Sequence, residues 1–286
     1  METNRLSHAL GAEIYGVNIV GDLSNSEVEA IHDAWREHHV IVFRGLELTP
    51  AQHIAFSLRF GALDDHAATP HERLDGHPEL LEVTNKPKKG QPSQSRNAGR
   101  NWHSDYSYTG RPAAASMLYC TEKPPVGGDT MFCNMARAYD DLSDKMKSVV
   151  DDFQSVYDFT LVSGAAKRDP AKMVELLKVN PPIAHPCVRT HPDSGVKALY
   201  VSERTSHFDG MSRAESAPII DYLCRHATRP ENVYRHQWRV GDLVSWDNRT
   251  TMHLALGDFD PSQPRHMLRT TLQGQKSGYV VPPAEP

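Results

Sequence analysis

Three His-x-Asp triplets stand in this sequence: His103–Asp105, His191–Asp193 and His207–Asp209. A histidine and a carboxylate two positions apart project to one side of a strand. Together they supply two of the three ligands of a two-His-one-carboxylate metal site, whose other coordination positions stay open to substrate and oxygen. Context separates the triplets. Asp193 lies in Pro-Asp-Ser-Gly, where turn chemistry accounts for it, and Asp209 runs into Gly210, again a turn. His103-Ser-Asp105 sits among aromatics in NWHSDYSY, which reads as strand, and is the candidate pair. A third ligand has to come from elsewhere, and His253 on the strand after Trp246-Asp247-Asn248-Arg249 is placed to give it. Arg265 and Arg269 follow; four apart on a strand they share a face, and inward guanidinium groups demand anions.

Composition supports a metal site without thiolates. The 286 residues include sixteen histidines, but the four cysteines (Cys120, Cys133, Cys187, Cys224) are scattered with no CxxC pair. That pattern points to free buried thiols in a reducing compartment rather than to a disulfide frame or a cysteine-zinc site. A formal net charge of -5 argues against a nucleic-acid partner. No apolar run approaches a membrane span and the N-terminus lacks a signal-peptide core, so the expectation is a cytoplasmic protein without a membrane partner.

The elements that must position these residues begin as strand, helix, strand. Residues 12–19 alternate up to a break at Gly16; Ser24 and Glu27 form a capping-box signature for a helix to about His38; residues 40–44 (VIVFR) read as a buried strand. A helix from Thr49 or Pro50 runs to about Phe60. The polar stretch 86–101 reads as a loop, a candidate active-site lid. Strands are expected over 103–108, 115–122 and 128–134, then a helix over 136–152 and another over 170–178 within a helical insertion near 136–180. A hairpin around 192–195, a helix over 212–226 and strands over 234–238, 243–247, 253–256 and 265–274 close the chain. The expected architecture is a single domain over 1–286, mainly β with flanking helices, as a double-stranded β-helix or jelly roll. No GxGxxG or GxxxxGK[ST] supports a doubly wound parallel sheet instead.

From about Leu10 to Gly274 the chain resembles the iron(II)- and 2-oxoglutarate-dependent dioxygenases of the taurine dioxygenase and chlorophenoxyacetate dioxygenase group. The resemblance rests on NWHSD, PPVGGDT, VRTHPDSG, GDLVSWDNR and the His253–Arg265–Arg269 spacing. It implies a jelly roll with Fe(II) held by His103, Asp105 and His253, and 2-oxoglutarate as co-substrate with Thr130 and Arg265 on its distal carboxylate. It implies Arg269 and His66, with His71 a near competitor, as contacts for an anionic prime substrate. Tyr106, bulkier than its counterparts in relatives, would also shape that pocket. The reaction implied is hydroxylation of a small organic anion by O2, a sulfonate, sulfate ester, aryloxyalkanoate or other carboxylate, with succinate and CO2 as co-products. Relatives in the group also imply a homo-oligomer. Two readings compete: a zinc-dependent hydrolase on the same three ligands, which has no need of the Thr130–Arg265 clamp, and a non-catalytic jelly-roll binding protein, which has no need of the triad.

Overall fold

The structure is a computed structural model and describes residues 1–67, 69–88, 90, 93, 99–161 and 170–282. Strands β1 (Glu2–Arg5) and β2 (Ala12–Tyr15) lead to helix α1 (Asn25–His38), β3 (Val40–Phe43) and α2 (Pro50–Leu58). Next come β4 (Arg73–Leu74), β5 (His77–Thr84), β6 (Ala115–Glu122), β7 (Thr130–Asn134), α3 (Met135–Asp140), α4 (Asp144–Val150) and β8 (Gln154–Tyr157). Helix α5 (Pro170–Val179), strands β9 (Ile183–Pro186), β10 (Val188–Thr190), β11 (Lys197–Leu199) and β12 (Thr205–Phe208), and α6 (Arg213–Ala227) follow. Strands β13 (Val233–His236), β14 (Leu243–Asp247), β15 (Thr251–Ala255), β16 (His266–Leu272) and β17 (Tyr279–Val280) complete the chain, which is mainly β with flanking helices.

Both N-terminal helices start where the sequence indicates. Ser24 and Glu27 close a capping box on α1, Thr49 and Gln52 another on α2, and each satisfies backbone N–H groups that the helix leaves unpaired. Strand β3 is buried at every position because it is covered on both faces. Ile41 and Phe43 pack with Trp35 of α1 and Phe56 of α2. Val40 and Val42 face the other way, among Phe132, Val244 and Trp246.

That second face is the inside of the molecule. The large sheet runs β1-β2-β3-β14-β6-β16-β5-β4, and a smaller sheet runs β13-β7-β15. Their inner faces meet through Leu118, Phe132, Trp246 and Met267. The strand order alternates between the sheets: β6 lies in the large one, β7 and β13 in the small one, β14 in the large, β15 in the small and β16 in the large. Two further sheets, β12-β8-β9-β17 and the hairpin β10-β11, extend the molecule beyond this pair.

Several local expectations are corrected. The helix expected over 136–152 is two, because the chain turns at Leu142 and Ser143 caps α4 anew by accepting from Met146 N. The segment read as a helical insertion also carries β8, paired with β9 and β12. The stretch 103–108 is not a strand: His103 makes one antiparallel bridge to His253, after which the chain turns with Tyr106 at φ 55°. Half of 86–101 falls outside the described residues.

Candidate metal centre

His103 and His253 exchange backbone hydrogen bonds, 3.1 Å from His103 N to His253 O and 2.8 Å in return. This single bridge, rather than a continuous strand, lays the two rings side by side with centroids 4.1 Å apart. The turn that follows His103 brings Asp105 back under them. His103 Nε2 lies 3.8 Å from Asp105 Oδ1, and His253 Nε2 lies 3.9 Å from Asp105 Oδ2. One ligand atom from each residue falls within 4.8 Å of the others, and all three residues are buried. Among the described residues this is the one histidine, cysteine and carboxylate group of that kind.

The donor set fits a divalent metal. A ligating imidazole must be neutral and a ligating carboxylate ionised. Burial holds His103 well below its ordinary value, with the charge of Arg204 adding to it. Burial also pushes His253 down to about 4, against the pull of Asp105. For Asp105, burial opposes ionisation, but Arg269 and then the two histidines overcome it and keep the carboxyl well below the usual range. The Asn101 carbonyl accepts from His103 Nδ1 at 2.7 Å, which fixes the tautomer and leaves Nε2 for the metal.

The large sheet orients Asp105. Ser116 on β6 donates to Oδ2 at 2.6 Å, and Arg269 on β16 donates to Oδ1 at 3.0 Å. Asn248 accepts from Asp105 N, donates to Ser116 Oγ at 3.2 Å and accepts from the Trp246 indole, so one amide ties the motif after β14 to the carboxylate. On the small sheet, Thr130 pairs with Ala255 and Phe132 with His253. Thr130, Phe132 and His253 therefore share the inner face, and the Phe132 ring stacks on His253 at 6.2 Å.

Arg265 belongs to this inner space by a different route from the one expected. Strand β16 begins at His266, and its register against β6 shifts between His266 and Met267, so the strand alternation that was to align Arg265 with Arg269 stops short of Arg265. The Arg265 side chain instead donates from Nε to Gly128 O at 3.0 Å, two residues before Thr130. Gly128 has φ +74°, a left-handed backbone that favours glycine, and a Cβ there would crowd Pro124 Cγ at 3.0 Å and touch Arg265 Cδ at 3.4 Å. Arg265 is buried, forms no ion pair among the described residues, and burial lowers its pKa to about 10.

Residues 2–271 match the family described as taurine catabolism dioxygenase TauD, TfdA family. The chain belongs to that family. It is similar to an alpha-ketoglutarate-dependent 2,4-dichlorophenoxyacetate dioxygenase of Burkholderia sp. (strain RASC), 33% identical over 273 residues that cover 92% of this chain and 91% of the relative. It is also similar to an alpha-ketoglutarate-dependent sulfate ester dioxygenase of Pseudomonas putida, 34% identical over 282 residues, 96% of this chain and 90% of that one. Among solved structures, AAD-2 in complex with Mn(II) and N-oxalylglycine superposes with a TM-score of 0.85 at 31% identity, covering 97% of this chain and 100% of the other. The protein is thus a 2-oxoglutarate-dependent dioxygenase, an oxidoreductase, and the hydrolase and binding-protein readings fall away.

The residues of this TauD/TfdA-family dioxygenase expected to meet the prime substrate do gather. His66 Nδ1 lies 2.9 Å from the Tyr106 hydroxyl, and Arg269 Cζ lies 5.9 Å from the Tyr106 ring centre. His66 and Tyr106 both hold left-handed backbone, φ 53° and 55°, a conformation costing a non-glycine residue about 1–3 kcal/mol. His66 N is held there by Asp64 Oδ1 at 2.7 Å. Burial, then the charge of Arg269, pushes His66 down to about 4. His71 is exposed on a separate turn of helix.

Four contributors escaped the sequence reading: Ser116, Asn248, Trp238 and Arg204. Trp238 donates its indole N–H to Thr130 Oγ1 at 3.0 Å. The WDNR motif drew attention to Asn248 only as part of a turn. Ser116, Trp238 and Arg204 carry no local pattern, because their partners lie far away in sequence. No helix of the described residues is long and apolar enough to cross a membrane.

Proposed function

We propose that this dioxygenase is an Fe(II) enzyme that hydroxylates a small organic anion, with 2-oxoglutarate bound by Thr130 and Arg265. The observation that carries the co-substrate assignment is Arg265, a buried guanidinium with no anionic partner among the described residues, crossing the turn that leads into Thr130. A buried cation without a partner is costly, and the distal carboxylate of 2-oxoglutarate would supply the missing charge through hydrogen bonds of about 1.5–3 kcal/mol each. Thr130 is prepared for the same ligand. Its Oγ1 already accepts from Trp238, so its hydroxyl proton is free to donate.

His103, Asp105 and His253 would hold the iron, which supplies activation of O2 when bound. The remaining work is positioning. Ser116 and Arg269 keep Asp105 ionised and oriented; Phe132 and Trp246 wall His253 with apolar surface. His66, Tyr106 and Arg269 form the side of the pocket assigned to the prime substrate, and the positive charge of Arg269 favours an anion there. Relatives named for aryloxyalkanoates and for sulfate esters support a substrate of that class. The alternation of β6, β7, β13, β14, β15 and β16 between two facing sheets supports a double-stranded β-helix as the frame, in one domain with 86–101 as a lid. Four free buried cysteines favour a reducing compartment, the cytoplasm.

The test is O2 uptake with 2-oxoglutarate over a panel of aryloxyacetates, alkyl sulfate esters and sulfonates, after loading with Fe(II) or Zn(II). Uptake matched by succinate, with Fe(II) alone and with at least one of these anions, is the expected result. Turnover confined to neutral substrates would reject the anion assignment, and Zn(II)-supported turnover would reject the iron.

A further inference from the structure

Arg204 lies in a tight turn between β11 and β12, where Ser202 N donates to Thr205 Oγ1 at 3.0 Å and Thr205 N to Ser202 O at 2.9 Å. The turn is pinned against the metal centre: Glu203 Oε2 accepts from Trp102 N at 3.2 Å, one residue before His103. Arg204 is 7% exposed. Its Nε is buried without a hydrogen-bond partner, and its guanidinium forms no ion pair among the described residues. Burial pushes its pKa down to about 10, and the foremost charge opposing that is Asp105, the carboxylate of the triad.

A structural arginine does not look like this. Arg249, partly buried, spends its guanidinium on both oxygens of Asp247 and on Asp193. Near the triad the accounting is unbalanced. Arg269 is matched by Asp105, and Arg265 would be matched by the distal carboxylate of 2-oxoglutarate, which leaves Arg204 without an anion among the described residues. Arg269 also keeps a buried Nε with no partner.

We propose that Arg204 is a specificity-determining residue for the prime substrate, and that its guanidinium binds the substrate's oxyanion group together with Arg269. The ligand class is an alkyl or aryl group ending in a carboxylate, sulfonate or sulfate. This rests on the small-anion reading above and adds to it a second cation, carried by the turn between β11 and β12 rather than by β16. A planar fork of donors suits such a group better than a lysine point charge.

The test uses the full chain loaded with Mn(II) and N-oxalylglycine, as wild type, Arg204→Met and Arg204→Lys, titrated calorimetrically with 2,4-dichlorophenoxyacetate, hexyl sulfate and hexanesulfonate. Arg204→Met should weaken whichever anion the wild type binds by about tenfold or more, with Arg204→Lys in between and N-oxalylglycine affinity unchanged within about twofold. Equal anion binding by wild type and Arg204→Met would overturn the role of Arg204 and leave the small-anion reading standing. A wild type that binds none of the three would overturn both. A second readout needs no substrate: removing an unpaired buried cation should leave the melting temperature of the ligand-free protein unchanged or raised. A clear drop would mark Arg204 as structural and sink the proposal.

Discussion

Two of the buried histidine–aspartate groups among the described residues are built from the same residue types, and they end in opposite states. At His191 every polar atom is used. Nδ1 accepts from the N–H groups of Asp193 and Ser194, so Nε2 donates to Asp247 at 3.0 Å, and Asp247 takes both arms of Arg249. At His103 and His253 the ring nitrogens facing Asp105 stop at 3.8 and 3.9 Å, too far for a hydrogen bond, and the guanidiniums of Arg204 and Arg265 find no carboxylate among the described residues. The closed group has satisfied its charges internally and serves to fasten the turn after β10 to the end of β14. The open group has left donors and charges over, and those leftovers define what it binds. Between these two groups, satisfaction rather than residue type marks the difference.

The largest effect expected from this contrast is on stability at the closed group. Asp247→Ala should cost about 3–5 kcal/mol, the usual penalty for breaking a buried pair, and lower the melting temperature by on the order of 10 °C. Burial opposes the Asp247 charge, but His191 and Arg249 hold its pKa well below the ordinary range. A carboxyl depressed in the folded state stabilises above its unfolded value of about 4 and loses that contribution as pH falls below it. Acid unfolding curves should therefore flatten in Asp247→Asn relative to wild type; an unchanged acid limb would break the comparison. Next comes His103→Ala. It should lower 2-oxoglutarate-dependent turnover by more than about a hundredfold, since even the partners of metal ligands are worth 10–100-fold. Its melting temperature without metal should stay near that of wild type. Arg265→Met follows, with a rise of about 10–100-fold in the KM for 2-oxoglutarate and little change in affinity for the prime substrate. A KM within twofold of wild type would remove the arginine from the co-substrate site.

How much of this was legible in the sequence depended on how local the signal was. His103, Asp105 and His253 were found from spacing and resemblance, although the strand invoked to align the first two does not exist. The bridge to His253 and the turn at Tyr106 do that work, and neither leaves a periodic pattern. Capping boxes at Ser24, Thr49 and Ser212 are complete within four residues, so the helices they start were readable. Strand β1 (ETNR) is wholly exposed and polar, so no hydrophobic alternation could announce it. The bulge between His266 and Met267 is a property of pairing with β6, invisible in one strand alone. Arg204 was missed for the same reason: an unpaired arginine is recognised by what fails to surround it, which only three dimensions show.

The smallest expected effect tests how far positioning extends behind the open group. Trp238 Nε1 donates to Thr130 Oγ1, and the Trp238 ring stands edge-on to His236 at 4.5 Å. With that acceptor position filled, the Thr130 hydroxyl is biased to point its proton away from Trp238, free for the carboxylate that we propose Arg265 holds. Trp238→Phe keeps an aromatic ring and removes the donor, so the threonine can rotate. The loss should be about 1 kcal/mol, the net worth of one neutral hydrogen bond. That corresponds to roughly a fivefold rise in the KM for 2-oxoglutarate with kcat near wild type. Thr130→Val should give a similar rise, and the double variant should add little, because both changes remove the same oriented donor. Additive losses in the double variant would show that Trp238 acts through packing alone, and that the ordered region ends at Thr130 itself.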